Sequence, residues 1–175
     1  CQPFSIMGFR KGFNDPRGNL FFEIARIAES KKPKVIFLEN VANLLEHDDG
    51  KSFLTVYNAL APQGYNIRYQ LMDSLEYGNV PQRRTRIFIV AFKDLEACER
   101  FKFPNKVELT TKLNDILVRE VKHNDIYYYN KSSFYYDELR RIVTDKRALY
   151  KIYDSGVSRK AHYICPTLTA NMGTY

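Results

Sequence analysis

Three short segments contain residue types that act in catalysis or in the binding of polar groups. Cys1 opens the sequence in CQPFS, Glu39 follows the apolar run VIFL, and QRRTR at 82–86 precedes a second apolar run, RIFIV. A cysteine thiolate is a nucleophile, a carboxylate is a general acid or base, and arginine binds phosphates and carbonyl oxygens. Each cluster alone also has a plainer explanation: a segment that happens to begin at cysteine, a capping or solvated glutamate, and a solvated basic loop.

The apolar pattern of the first half predicts an α/β arrangement. Apolar residues recur at helical spacing in two segments and run together or alternate in three others. The predicted helices lie at 19–31 and 51–62, and the predicted strands at 35–38, 66–74 and 86–92. This order is typical of half of an α/β sandwich around a largely parallel sheet. Ligands bind beyond the carboxyl ends of parallel strands, so we expect Glu39 to point into that crevice.

The pattern of apolar and polar residues changes near residues 93–100. Short amphipathic helices are predicted at 113–121 and 137–152, and the tyrosine-rich segment DIYYYNKSSFYY lies between them. We therefore predict one domain in residues 1–93 and a second, incomplete domain in residues 94–175.

Composition narrows the class of protein. The 175 residues carry a net charge of +7, spread over both halves, which favours an anionic partner such as nucleic acid. Three distant cysteines without CxxC spacing argue against a disulfide scaffold and a metal site. No apolar run is long enough to predict a membrane span. The default compartment is a reducing cytoplasm. A sequence that starts at Cys1 is interpreted as a segment of a longer protein.

Taken in order, the three clusters resemble the motifs of the DNA cytosine-5 methyltransferase family. ENV follows CQPFS by about 40 residues, and QRRTRIFIV follows ENV by about 40 more. The helix RGNLFFEIARI and the strand KPKVIFLENV extend the similarity over nearly all of residues 1–93. The similarity is closest to the enzymes of bacterial restriction–modification systems. FKFPNKVELTTKLNDIL more weakly resembles the lead-in to the family's target recognition domain.

The resemblance implies a fold and a reaction. The fold is α/β: a partial S-adenosylmethionine-dependent methyltransferase sheet of Rossmann type in residues 1–93, followed by the start of a target recognition domain in residues 94–175. The reaction transfers a methyl group from S-adenosylmethionine to carbon 5 of a flipped-out cytosine in duplex DNA, through a covalent cysteine adduct. The family's glycine-rich cofactor motif is absent here. We therefore expect most of the cofactor site to lie outside the chain, and the chain alone to be inactive.

The resemblance also assigns roles residue by residue. Cys1 matches the nucleophile that attacks carbon 6 of cytosine. Glu39 matches the glutamate that holds and protonates ring nitrogen 3, and Arg86 matches the arginine that contacts the cytosine carbonyl oxygen. Leu20 matches a position that packs on the cofactor adenine. The implied DNA-binding residues are Gln2, Ser5, Arg84, Thr167 and Leu168.

Other interpretations stay open at this stage. A tRNA cytosine-5 methyltransferase would share the motifs, and a non-catalytic DNA-binding scaffold would share the fold. The aromatic side chains at 127–129 and 134–136 either stack on bases or, as we favour, pack inside the second domain. Duplex DNA and S-adenosylmethionine are the implied partners, a cognate restriction endonuclease is left open as another, and a bacterial cytoplasm with its nucleoid DNA is the implied location.

Overall fold

The computed structural model of the chain describes residues 20–118, 124–145, 147–153, 156–157 and 163–168. These residues group into two units, which are treated one at a time. The first unit contains residues 20–73 and 85–106, and the second contains residues 74–84 and the described residues from 107 onward. Residues 94–106 thus group with the first unit and residues 74–84 with the second. The division into domains at 1–93 and 94–175 stays a prediction.

Three strands form the sheet of the first unit: β1 (Val35–Val41), β2 (Asn66–Asp73) and β3 (Thr85–Phe92). Their order is β1-β3-β2, and β3 runs antiparallel to both neighbours. The α/β class is confirmed, but a largely parallel sheet is wrong for these strands. The error has a physical reason: β3 returns in the opposite direction and inserts between β1 and β2, so each pairs with β3 instead of with the other.

The burial of each strand follows from its place in this sheet. Central β3 has both faces covered, which explains the unbroken apolar run IFIVAF at 87–92. Edge strand β1 instead alternates, with Ile36 buried between the exposed side chains of Val35 and Phe37. The apolar run VIFL therefore buries only one face within the described residues.

Two helices cover one face of the sheet: α1 (Leu20–Lys31) and α2 (Lys51–Leu60). Their apolar stripes meet the β3 side chains that point to that face, in two adjoining clusters. The buried members are Ala25, Ala28, Ile36, Leu60, Tyr65 and Ala91 in one cluster, and Leu44, Val56, Ile87 and Ile89 in the other. Gly64, at a φ of 82°, lies in the turn that leads from α2 into β2, a left-handed conformation that glycine adopts without steric cost.

The opposite face of β3 packs on the segment that follows the strand. Val90 and Phe92 form a third cluster with Cys98 of α4 (Leu95–Arg100). Asp94 caps α4 by accepting a 2.6 Å hydrogen bond from the backbone N–H of Ala97. Alternate residues of one central strand thus hold the two layers of this unit together.

The second unit contains short elements: α3 (Ser74–Tyr77), α5 (Leu113–Ile116), α6 (Tyr136–Ile142), β4 (Ile152–Tyr153) and β5 (Gly156–Val157). The helix predicted over 137–152 is too long, since α6 ends at Ile142. Asp145 prevents the helix from continuing to residue 152, because its carboxylate accepts hydrogen bonds from the Arg147 backbone N–H at 2.8 Å and from the Tyr163 hydroxyl at 2.7 Å. Such side-chain bonds to nearby backbone favour a turn over a helix. No helix within the described ranges combines the length and apolarity that a membrane crossing needs.

The buried stripe of α2 yields a stability prediction for the full-length protein. Leu60→Ala removes a side chain that is 0% exposed, so we expect the free energy of unfolding to fall by about 2–5 kcal/mol. Leu54→Ala is the matched control on the same helix, since Leu54 is 53% exposed and its loss should cost only about 0.5 kcal/mol. Urea unfolding measures both, and equal losses would contradict the packing described for α2.

The Asp145 network yields a pH prediction. The backbone N–H of Arg147, together with the Arg147 and Tyr163 side chains, lowers the pKa of Asp145 from 3.8 to about 2. Because the folded pKa is depressed, the network should stabilise the second unit above pH 3.8 and lose that contribution as the pH falls through about 2. Carboxyl NMR titration should find the low pKa, and Tyr163→Phe should raise it. A wild-type value near 3.8 would refute the network.

Candidate active site

Strand register brings Glu39 and Arg86 together in the first unit. Val41 pairs with Arg86 and Glu39 with Phe88 across the β1–β3 ladder. Residues two apart on a strand share a face, so Glu39 and Arg86 are diagonal neighbours on one face of the sheet. The Arg86 Nε atom lies 2.9 Å from Glu39 Oε1. The two residues that the family motifs single out, 47 positions apart in the sequence, therefore form an ion pair.

The two partners differ in their access to solvent. The Glu39 side chain is 41% exposed, whereas that of Arg86 is 13% exposed. A second contact fixes the arginine, whose Nη1 donates a 2.8 Å hydrogen bond to the carbonyl oxygen of Thr85. The Nε–Oε1 distance defines an ion pair, although the N–H direction falls short of hydrogen-bond geometry. The site thus offers a reachable carboxylate backed by a guanidinium group held largely beneath the surface.

The end of β1 is fixed just beyond Glu39. The Asn40 side chain accepts a 2.8 Å hydrogen bond from the Val41 backbone N–H, and a 3₁₀ turn over Ala42–Leu45 buries Leu44. Glu39 lies two residues inside the strand and not beyond its carboxyl end as expected. Pairing with β3 explains this difference, since it continues to Val41.

The predicted residues of the second unit belong to the basic segment at 82–84 or to the stretch at 165–168, which is hydrogen-bonded to that segment. Arg84 is exposed, and its carbonyl oxygen accepts a 3.3 Å hydrogen bond from the Ser74 backbone N–H. Thr167 donates its hydroxyl to the Arg83 carbonyl oxygen at 2.7 Å, and Leu168 is exposed. The predicted DNA contacts of Arg84, Thr167 and Leu168 stay predictions.

Four predicted residues lie elsewhere. Cys1, Gln2 and Ser5 fall outside the described residues. Leu20 begins α1, and its side chain is exposed. An exposed apolar side chain fits the flat, apolar face of an adenine, so Leu20 is compatible with its predicted cofactor role. A single side chain does not make a binding site, and the role stays a prediction.

Side chains outside the sequence motifs join distant parts of the second unit, including the basic segment at 82–84. The Ser74 hydroxyl donates to the Gln82 carbonyl oxygen at 2.6 Å, and a parallel bridge joins Gln82 to Cys165. Asn79 accepts hydrogen bonds from the backbone N–H groups of Thr110 and Thr111 at 2.8 and 3.0 Å. The QRRTR motif marked the segment itself, but no local pattern marked these distant partners.

The aromatic segment departs from its expected packing. Tyr127 and Phe134 are strongly exposed, and Phe134 reaches 92%. Tyr135 and Tyr136 are half-buried, so these two side chains meet the prediction of interior packing only in part. Within the described ranges, no three histidine, cysteine or acidic side chains are grouped to hold a metal ion.

Comparisons with known proteins agree with the motifs on which this site rests. The family described as C-5 cytosine-specific DNA methylase matches residues 1–173. M.Bsp6I, a type II methyltransferase of Bacillus sp. (strain RFL6), is 44% identical over 99% of this chain and 56% of its own length. M.HhaI, a type II methyltransferase of Haemophilus parahaemolyticus, is 44% identical over 70% of this chain and 38% of its own length. The chain therefore spans about half or less of these relatives.

A solved structure supports the fold. The Entamoeba histolytica methyltransferase EhMeth matches with a TM-score of 0.55 and 26% identity, over 70% of this chain and 38% of its own. Together with the helices and the three-stranded sheet, this match confirms the expected partial methyltransferase fold. Because the family match spans nearly every residue, the chain belongs to the C-5 cytosine-specific DNA methylases, alongside the type II methyltransferases of bacterial restriction–modification systems.

Proposed function

We propose that the full-length protein transfers a methyl group from S-adenosylmethionine to carbon 5 of a cytosine in duplex DNA, with Cys1 as the nucleophile. One observation carries the proposal: Glu39 and Arg86, at the family's motif positions, meet at 2.9 Å on one face of the sheet. An ion pair with a reachable carboxylate suits a pyrimidine edge that presents a ring nitrogen beside a carbonyl oxygen.

The reaction needs a nucleophile because carbon 5 of cytosine is electron-poor. The Cys1 thiolate gives its electron pair to carbon 6, and the carbon 5–carbon 6 double bond is broken. Its electrons make carbon 5 resemble an enamine carbon, and negative charge spreads to ring nitrogen 3 and the carbonyl oxygen. S-adenosylmethionine supplies the methyl group when bound. Loss of the carbon 5 proton to a base then expels the thiolate and restores the aromatic ring.

Glu39 and Arg86 act on the charge that develops during this addition. Glu39 holds a proton at nitrogen 3, and Arg86 faces the carbonyl oxygen. Groups that are already oriented before the reaction stabilise such charge without reorganising. Burial and the Thr85 contact supply that orientation for Arg86.

Neither group can reach a base that is stacked in a duplex. The proposal therefore includes extrusion of the target cytosine from the helix. Gln2 and Ser5 are proposed to lie near the extruded nucleotide, with Arg84, Thr167 and Leu168 as further DNA contacts. The net charge of +7 supports an anionic partner. Leu20 is proposed to pack on the cofactor, most of whose site we assign to parts of the protein outside this chain.

Two finer parts of the proposal rest on the relatives' names. Relatives named type II methyltransferases support a cognate restriction endonuclease as a partner and bacterial chromosomal DNA as the substrate.

We also expect the 175-residue chain alone to be inactive. Methyl transfer by the isolated chain at the rate of the full-length protein would refute that expectation.

The nucleophile is tested by trapping. Fluorine at carbon 5 cannot leave as a proton does, so full-length protein, S-adenosylmethionine and duplex DNA containing 5-fluorocytosine should form a covalent adduct that survives denaturing gels. Cys1→Ser should abolish the adduct, while Cys98→Ala, at a buried cysteine of the α4 cluster, should retain it. An adduct with Cys1→Ser would remove Cys1 as the nucleophile. Stronger competition by tRNA than by duplex DNA would favour a tRNA enzyme.

The carboxylate is tested by an isosteric change. Glu39→Gln keeps the shape but has no carboxyl proton to give to ring nitrogen 3, so kcat should fall by roughly 10²–10⁴-fold. Glu29→Gln, the same change at an exposed position of α1, should leave kcat unchanged. Single-turnover methylation measures both rates. A Glu39→Gln rate within threefold of wild type would exclude Glu39 from proton transfer.

A further inference from the structure

The backbone of residues 81–84, named here the arginine segment, is held by hydrogen bonds from distant residues. The Arg83 N–H donates to the Cys165 carbonyl oxygen, and the Cys165 N–H donates to the Pro81 carbonyl oxygen, both at 2.8 Å. The Gln82 side chain adds a 3.4 Å hydrogen bond to the Pro166 carbonyl oxygen. Residues more than 80 positions apart thus form a short parallel bridge within the second unit.

Two hydroxyl groups complete this arrangement. Ser74 donates to the Gln82 carbonyl oxygen at 2.6 Å, and Thr167 donates to the Arg83 carbonyl oxygen at 2.7 Å. The Ser74 N–H donates to the Arg84 carbonyl oxygen at 3.3 Å. All four carbonyl oxygens of the arginine segment therefore accept hydrogen bonds from the protein.

The arginine segment begins with a buried side chain and ends with exposed ones. The Pro81 side chain is fully buried, whereas Arg83 and Arg84 are exposed. Water can satisfy the carbonyl groups of an exposed loop, but the four carbonyls of this segment are bonded to protein groups. Their effect is to present two guanidinium groups from a backbone that is ordered beforehand, and ordering before binding lowers the entropic cost of binding.

We infer that the hydroxyls of Ser74 and Thr167 are positioning groups, which hold the arginine segment in the conformation that binds DNA phosphates. This inference deepens the proposed function and rests on it for the identity of the ligand. It gives the Thr167 hydroxyl a positioning task in addition to the proposed DNA contact of this residue, since the hydroxyl donates its proton to the Arg83 carbonyl oxygen. Arginine suits phosphate because its planar fork donates two parallel hydrogen bonds, and that geometry is useful only when the backbone that carries it is fixed.

The first test does not depend on activity. Hydrogen exchange of the full-length protein reports on the Arg83 and Cys165 amides. Thr167→Val keeps the shape but removes the hydroxyl, so exchange of peptides spanning 81–84 and 163–166 should quicken about 3–10-fold, as expected for one lost hydrogen bond. Thr167→Ser keeps the hydroxyl and should match wild type. Peptides from α1 serve as the internal reference. Equal exchange in Thr167→Val and wild type would overturn the positioning role.

The second test links the hydroxyl to DNA. Thr167→Val should raise the KM for duplex DNA about 3–10-fold, with kcat within twofold of wild type, while Thr167→Ser restores the wild-type KM. Ser74→Ala should act in the same direction. In a protein carrying both Arg83→Ala and Arg84→Ala, the Thr167→Val change should add less than twofold, because the groups it positions are gone.

The outcomes separate the two proposals. An undiminished Thr167→Val effect in the arginine-deficient protein would mean that the Thr167 hydroxyl does not act through Arg83 and Arg84, which overturns the inference. Wild-type protein that neither binds nor methylates DNA would overturn the proposed function, and with it the phosphate ligand. The hydrogen-exchange result tests the inference without DNA, since it reports whether the hydroxyl holds the segment at all.

Discussion

The antiparallel pairing of β1 with β3 is the constraint on which the site depends. Val41 opposite Arg86 places Glu39 one diagonal step from the guanidinium group. Side chains alternate between the faces of a strand, so a slip of one residue would send one partner to the opposite face. The register is held by burial: Ile87, Ile89 and Ala91 must meet the two helices, and a slip would expose them.

The same constraint explains why a charged pair is tolerated beside an apolar core. Arg86 is largely buried, and a buried charge is costly unless an opposite charge or hydrogen bonds compensate it. Glu39 and the Thr85 carbonyl oxygen provide that compensation. The pair sits where β3 begins, at the transition from the polar QRRTR motif to the apolar strand. The change from polar to apolar residues in the sequence therefore falls where the candidate site meets the apolar core.

Much of the first unit could be predicted because its signals are local. The periodicity of 19–31 and 51–62 and the continuous or alternating apolar residues of 35–38, 66–74 and 86–92 all mark elements that the structure contains. Strand direction was missed because a run such as RIFIVAF is equally apolar in a buried parallel strand and in a central antiparallel one. In the second unit, α6 ends at Ile142 and is followed by a turn held by Asp145, Arg147 and Tyr163, which no periodicity encodes.

The site was predictable to the extent that motifs mark it. Glu39 and Arg86 follow from the ENV and QRRTR motifs, and the structure brings them together. Ser74, Asn79 and Cys165 could not be found in this way, because their hydrogen bonds join segments that are far apart in the sequence and leave no spacing pattern. A motif can thus be recognised in the sequence, whereas the contacts that hold it in place can be recognised only once the fold is known.

The most direct measurement is a crystal structure of the full-length protein with duplex DNA containing 5-fluorocytosine, trapped in the presence of S-adenosylmethionine. We predict a bond from the Cys1 sulfur to carbon 6 of an extruded base, with Glu39 and Arg86 within about 2.6–3.2 Å of nitrogen 3 and the carbonyl oxygen. A base bound on another face, or a cytosine edge that neither Glu39 nor Arg86 contacts, would contradict the account.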